Sequence, residues 1–126
     1  MGDDVPYRIG STVEIPVSWS TDDAPYLRYV GGEPRPPTPA RTVVEAWRDE
    51  LAAAKRTGTL CMITIHPWMS GRPARIGLLA ELLAEAAADP ELSVGTAGEL
   101  AEHHTNAVKE TLTVPIDELG RPDGTA

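Results

Sequence analysis

Apolar residues in the chain follow two patterns that are typical of β-strands. Residues 60–65 form a continuous apolar run between Gly58 and Pro67, which predicts a buried strand of the kind found in parallel sheets. Residues 92–94 predict a short further strand. Residues 13–19 alternate apolar and polar positions, which predicts a half-buried strand that presents one apolar face, Val13, Ile15, Val17 and Trp19.

Helical spacing of apolar residues separates these segments. Thr38 and Pro39 predict a helix start, and Gly58 predicts its left-handed end. The expected inward face of that helix consists of Val43, Trp47, Leu51 and Ala54.

Two more helices are predicted further along the chain. One runs from Pro73 to the Asp89-Pro90 pair, and a shorter one runs from the Thr96 and Glu99 capping box to about His104. The expected inward face of the first of these is Ile76, Leu79, Leu83 and Ala86.

The order of these elements predicts an α/β fold. Strands that alternate with helices favour right-handed crossovers and a parallel sheet, so we expect a partial (β/α) barrel of about three parallel strands with three helices. Residues 1–12 and 20–39 are rich in polar residues, Pro and Gly and are expected to be loops. Residues 105–126 are expected to form a polar tail, largely extended or disordered.

Composition excludes some classes of function. The net charge of -8 and the pI near 4.7 argue against nucleic acid as a partner, because phosphate binding requires a basic surface. A single cysteine, Cys61, rules out an internal disulfide. No stretch has the length of a membrane span, and the N-terminus lacks a signal-peptide pattern, so we expect no membrane partner and a cytoplasmic location.

His66 is the strongest candidate for chemistry. It follows the apolar run, at the carboxyl end of a predicted strand, where α/β proteins place reactive groups. Asp22 and Asp23 follow the predicted strand 13–19 in the same way, so a carboxylate could meet the imidazole, fix its tautomer and favour its protonated form. The alternatives are a structural histidine at a strand end and two aspartates that turn the chain or cap a short helix.

Other charged groups carry weaker signals. Arg72 could hold an anionic group, whereas Arg75 is expected to be an ordinary surface cation at a helix entry. His103 and His104 point about 100° apart on a helix and cannot easily share one metal ion. We therefore expect no metal site within this chain.

The segments at residues 13–26, 63–67 and 71–76 together resemble the C-terminal part of the polysaccharide deacetylase family. This family comprises the NodB-homology, carbohydrate esterase 4-like proteins, and the resemblance points to its peptidoglycan-deacetylase- and allantoinase-like branch. The ordered motifs are Pro-Val-Ser-Trp-Ser-x-Asp-Asp, ending at Asp23, and His-Pro-x-x-x-Gly-Arg-Pro-x-Arg-Ile, which begins at His66. The resemblance covers residues 1–104.

The resemblance implies the C-terminal half of a NodB-type distorted barrel and the hydrolysis of non-peptide carbon–nitrogen bonds in carbohydrate metabolism. It implies that His66 is the general acid and that Asp22 or Asp23 is its carboxylate partner. The substrate would be an N-acetyl sugar or a small amide such as allantoin or a cyclic imide. Its expected contacts are Trp19, Tyr26, Trp68 and Arg72.

The family's metal-binding Asp, His-x-x-x-His pair and catalytic base have no counterpart here, and Met1 aligns inside a family member. We therefore expect a fragment that binds no metal alone, whereas the complete family domain holds zinc or another divalent metal. Activity would require a companion chain that supplies the N-terminal half, or a homo-oligomer. The alternative is a non-catalytic binding or assembly module that retains only the sheet.

Overall fold

The computed structural model of the chain describes residues 5–29, 31, 36–107 and 113–114. It divides into two compact units. One unit is Val17–Val94, and the other combines Met1–Pro16 with Gly95–Ala126. The candidate site lies within the unit Val17–Val94.

Helices build the unit Val17–Val94. Its two long helices are α2, Ala40–Thr57, and α4, Pro73–Ala88, and they pack against each other. Two single-turn helices, α1 at Ala24–Leu27 and α3 at Pro67–Ser70, complete the unit. Its core is apolar and consists of Leu27, Val43, Val44, Trp47, Met69, Leu79 and Leu82.

The predicted C-terminal end of α2 and both predicted ends of α4 are confirmed, whereas α2 begins at Ala40 with Pro39, and not Thr38, at its N-cap. Gly58 ends α2 with a left-handed backbone (φ 68°), and its N–H donates to the Ala54 carbonyl. Pro73 opens α4 and Asp89 ends it. The predicted inward face of α4 is partly wrong, because Leu82 is buried while Ile76 and Leu83 are exposed.

Ion pairs join the exposed edges of α2 and α4. The Arg48 guanidinium donates two hydrogen bonds to Glu85, at 2.7 and 2.8 Å, and holds the pKa of that carboxyl below its ordinary value. Lys55 pairs with Asp89 at 2.7 Å and with Glu91 at 2.6 Å. Since these groups are exposed, they define the register of the two helices more than they stabilise the fold.

A small sheet and one helix form the second unit. Strand β1, Tyr7–Ile9, pairs antiparallel with β2, Thr12–Glu14, and pairs in parallel over two residues with β3, Thr113–Val114. The chain reverses at Gly10, which has a positive φ of 59°. The prediction of a loop over residues 1–12 is therefore wrong from Tyr7 onward, and residues 1–4 lie outside the described residues.

Helix α5, Ala97–Ala107, begins at the predicted capping box. The Thr96 N–H donates to Glu99 Oε2 at 2.7 Å, and the Glu99 N–H donates back to Thr96 Oγ1 at 3.2 Å. The Thr96 N–H and the Thr96 hydroxyl, which donates to the same carboxylate oxygen at 2.9 Å, hold the pKa of Glu99 below its ordinary value. Residues 105–107 belong to this helix, and most of the predicted polar tail lies outside the described residues.

The predicted fold class, a partial (β/α) barrel with about three parallel strands, is wrong. The described residues are mostly helical, with five α-helices. Residues 60–65 and 92–94 form no strand, and β2 covers only the start of residues 13–19. The physical reason is that a segment becomes a strand only when neighbours satisfy its backbone along its length. In the described part of the chain, residues 60–65 have a parallel bridge between Asp22 and Thr64 and a hydrogen bond from the Thr21 hydroxyl to the Met62 carbonyl.

Residues 20–39 contain more structure than the loop prediction allowed. A 3₁₀ turn, Trp19–Thr21, leads into α1. Residues 30 and 32–35 lie outside the described residues. Among the helices that the structure describes, none combines the length and the apolar character needed to cross a membrane.

Candidate active site

A single parallel bridge brings the two chain segments of the site together. The Thr64 N–H donates to the Thr21 carbonyl at 2.9 Å, and the Asp23 N–H donates to the Thr64 carbonyl at 3.1 Å. His66 lies two residues beyond Thr64, so its side chain emerges on the same side of the bridge as that of Thr64. The bridge therefore places His66 beside the aspartates.

The 3₁₀ turn before the aspartates is fixed to the helical core. The Ser20 carbonyl accepts hydrogen bonds from Trp47 Nε1 at 3.0 Å and from the Tyr26 hydroxyl at 3.2 Å. Thr21 is buried, and its hydroxyl donates to the Met62 carbonyl at 2.5 Å. Side chains from α1 and α2 thus hold the backbone that presents Asp22 and Asp23.

Asp23 is completely buried and accepts three hydrogen bonds. Its Oδ2 accepts from the His66 backbone N–H at 2.8 Å and from the Ser70 hydroxyl at 2.5 Å. Its Oδ1 lies 2.6 Å from His66 Nδ1. A buried carboxylate requires such donors, because an unpaired charge away from water is very costly.

The imidazole of His66 is held on one side and open on the other. A carboxylate only accepts hydrogen bonds, so Nδ1 carries the proton that it donates to Asp23, and the neutral ring keeps its lone pair on Nε2. The side chain is 42% exposed, and Nε2 has no partner among the residues that the structure describes. This is the arrangement required to exchange a proton with a substrate at Nε2.

Asp22 has a different role from Asp23. Its Oδ1 accepts a hydrogen bond from the Ala24 N–H at 2.8 Å, so it forms a local turn that leads into α1. The distance from Asp22 Oδ1 to His66 Nδ1 is 3.9 Å, too long for a hydrogen bond. The structure therefore pairs His66 with Asp23, which the sequence left open, while the catalytic roles of all three residues stay predictions.

The residues expected to contact substrate differ in exposure. The side chains of Trp19 and Trp68 are 78% and 64% exposed, and Arg72 is exposed at the entry to α4. Tyr26 packs against the core, and its hydroxyl donates a hydrogen bond to the Ser20 carbonyl, so it stabilises the backbone of the turn before the aspartates. Their role as substrate contacts stays a prediction.

Sequence reasoning missed three residues that shape the site. Ser70 binds Asp23, and Arg75 donates from Nη1 to the Met69 carbonyl at 2.7 Å, where a plain surface cation was expected. Gly71 follows α3, and a Cβ there would lie 2.3 Å from the Pro67 carbonyl oxygen. The available signal was the four-residue spacing of His66 and Ser70, which places Ser70 one helical turn after the histidine.

The partly buried thiol of Cys61 is not suited to be a second reactive group. Burial raises the pKa of its thiol, and the carboxylate of Glu50 acts in the same direction. The thiol is therefore protonated near neutral pH, and only the thiolate is a good nucleophile or metal ligand.

The aspartates and the histidine also meet closely enough to suggest a metal site. One potential ligand atom from each of Asp22, Asp23 and His66 lies within 4.8 Å of the others. However, both oxygens of Asp23 and the Nδ1 of His66 are already committed to hydrogen bonds with each other and with protein donors. A metal ion here would have to displace these bonds from a fully buried carboxylate, so the residues do not fit a metal centre.

Zinc titration by calorimetry tests this conclusion. We expect the wild-type chain and the His66→Ala variant to give the same weak heats, because Nδ1 and the Asp23 oxygens are not free to coordinate. Stoichiometric zinc binding by the wild-type chain that His66→Ala abolishes would show that these residues form a metal site.

Comparison with known proteins gives one informative match. No protein-family model and no curated protein matches the chain. The crystal structure of a "putative polysaccharide deacetylase" from Mycobacterium smegmatis matches with a TM-score of 0.77 and 32% sequence identity, over 89% of this chain. The chain spans 42% of the length of that protein, so it resembles part of a polysaccharide deacetylase.

Proposed function

We propose that the chain is the general-acid portion of a metal-dependent hydrolase of non-peptide carbon–nitrogen bonds, similar to polysaccharide deacetylases. The observation that carries the proposal is the hydrogen bond from His66 Nδ1 to the buried carboxylate of Asp23, with Nε2 left open. The similarity to the M. smegmatis protein supports the choice of reaction.

In this proposal, His66 first takes up a proton from solvent at Nε2, and the resulting imidazolium donates that proton to the leaving nitrogen as the carbon–nitrogen bond breaks. The protonated ring carries a positive charge that the Asp23 carboxylate stabilises from the opposite side. A positioned general acid of this kind contributes about 10²- to 10⁴-fold to the rate. Trp19 and Trp68, whose indole rings are exposed, are proposed to contact an N-acetyl sugar or a small cyclic amide. Arg72, which is exposed at the entry to α4, is proposed as a further contact.

We also propose that a companion polypeptide completes the enzyme. The divalent metal that the resemblance implies would be held by that companion, because Asp22, Asp23 and His66 do not fit a metal centre. Support comes from residues 60–63, whose backbone N–H groups bond to no other group in the described part of the chain. Such unpaired groups on an extended segment invite pairing with another chain.

The test is reconstitution with a defined companion. The chain is co-expressed with a polypeptide that corresponds to the part of the M. smegmatis protein it does not cover, and the purified assembly is assayed with zinc on an N-acetylated sugar, allantoin and a cyclic imide. We expect hydrolysis only when both polypeptides are present. His66→Ala is expected to lower kcat by about 10²-fold or more, because the general acid is lost.

A matched control is His103→Ala, which removes an exposed imidazole on α5 and is expected to leave kcat unchanged. Full turnover by His66→Ala, or turnover by the chain alone, would contradict the proposal. Tight binding of a substrate without any turnover by the folded assembly would favour the alternative, a non-catalytic binding module.

A further inference from the structure

Ser70 is the one buried hydroxyl that touches the His66–Asp23 pair among the described residues. Its residue exposure is 4%, and it ends helix α3, one turn after His66. The Ser70 N–H donates to the His66 carbonyl at 3.0 Å, while the Ser70 hydroxyl donates to Asp23 Oδ2 at 2.5 Å. Ser70 is thus bonded to both members of the pair.

The direction of the hydroxyl bond follows from chemistry. A carboxylate offers no proton, so the Ser70 hydroxyl must be the donor. Together with the His66 backbone N–H, it places two donors on Oδ2, and this leaves Oδ1 to face Nδ1 alone. Without the hydroxyl, only the two bonds from His66, one to each oxygen, hold the carboxylate, so its orientation about the Cβ–Cγ bond is less restricted.

We propose that Ser70 is a positioning residue: its hydroxyl fixes the Asp23 carboxylate so that His66 keeps its proton on Nδ1 and presents Nε2 to the substrate. Helix α3 supplies the geometry, because it is a single turn that holds Ser70 at a fixed place relative to His66. Gly71 allows this tight turn, since any Cβ there would collide with the Pro67 carbonyl. The catalytic meaning of this role rests on the proposed function, whereas the tautomer of His66 is measurable in this chain alone.

The experiment compares Ser70→Ala with Ser70→Thr and a control, Ser93→Ala. Thr retains the hydroxyl, and residue 70 lines a small cavity together with Trp47 and Leu79. Ser93 is exposed and lies in a segment without helix or strand. The readout is nitrogen NMR of the His66 ring in the neutral state, assigned by the loss of its signals in His66→Asn.

We expect the Nδ1-protonated fraction of His66 to fall in Ser70→Ala and to remain at the wild-type level in Ser70→Thr and Ser93→Ala. In the reconstituted assembly, Ser70→Ala is expected to lower kcat by about tenfold with KM unchanged, as for other groups that orient a histidine. A purely structural serine would alter stability without moving the tautomer.

An unchanged tautomer in folded Ser70→Ala overturns the inference, as does an equal shift in Ser70→Thr. If circular dichroism shows Ser70→Ala to be unfolded, Ser70→Cys gives the same comparison, because the thiol is a weaker donor of similar shape. A shifted tautomer in Ser70→Ala together with an inactive wild-type assembly would support the role of Ser70 and reject the proposed function.

Discussion

Replacing Asp23 with asparagine is expected to lower kcat of the reconstituted assembly by about 10²- to 10⁴-fold while the fold is retained. The side chains of aspartate and asparagine have the same shape, so the substitution fits the same buried space. Two donors, the His66 N–H and the Ser70 hydroxyl, meet at the Oδ2 position, so the amide oxygen will take that place. The amide NH₂ then faces His66 Nδ1, and two donors cannot bond, so the ring must move its proton to Nε2.

Nitrogen NMR of His66 in the isolated chain measures this change directly. Asp23→Asn should convert the neutral ring to the Nε2-protonated tautomer. Asp22→Asn is expected to have a smaller effect, because its amide oxygen can still accept from the Ala24 N–H. Asp49→Asn, which changes an exposed residue on α2, serves as the control. An Asp23→Asn variant with wild-type tautomer and kcat would show that the carboxylate does not orient the histidine.

Replacing Trp47 with alanine is expected to reduce the free energy of unfolding by about 3–5 kcal/mol. The indole is 2% exposed, lies at the centre of the core between α2 and α4, and donates from Nε1 to the Ser20 carbonyl. Truncation leaves a cavity and removes the hydrogen bond that anchors the turn before the aspartates. Urea unfolding followed by circular dichroism measures the change.

The control for that experiment is Trp68→Ala, which removes an indole that is 64% exposed. Its effect on the free energy of unfolding is expected to stay within about 0.5 kcal/mol, as for other surface positions. Equal losses for the two tryptophans would mean that Trp47 does not fill the core of this unit.

Local signals explain which elements the sequence predicted correctly. The left-handed glycine at residue 58, the proline at residue 73 and the Thr96–Glu99 capping box each act within one helical turn, and the structure confirms all three. The prediction of a strand at residues 60–65 was wrong because a strand depends on distant partners, and the described strand-type pairing of this run is one bridge at Thr64. Helix geometry is encoded locally, whereas strand pairing is not.

The candidate site was predictable in part for the same reason. The motifs indicated that His66 and an aspartate would approach each other, and the structure brings His66 to Asp23. Adjacent residues of an extended segment point to opposite sides of the backbone. The choice between Asp22 and Asp23 therefore depends on which of them lies on the His66 side of the Thr64 bridge, and the backbone of this turn decides that. The Ser70 contact depends on a four-residue helix, for which the spacing of His66 and Ser70 was the available signal in the sequence.

The carbonyl of Ser20 has a consequence for attempts to engineer the protein. It accepts hydrogen bonds from Trp47 on α2 and from Tyr26 on α1, and it lies three residues before the aspartate that binds His66. A redesign of the buried face of α2 for thermal stability will therefore also change the position of the proposed general acid, His66. Directed-evolution libraries that randomise residues 26 and 47 should be screened for turnover and heat resistance together, since a repacked interior that resists heating can still misalign the imidazole.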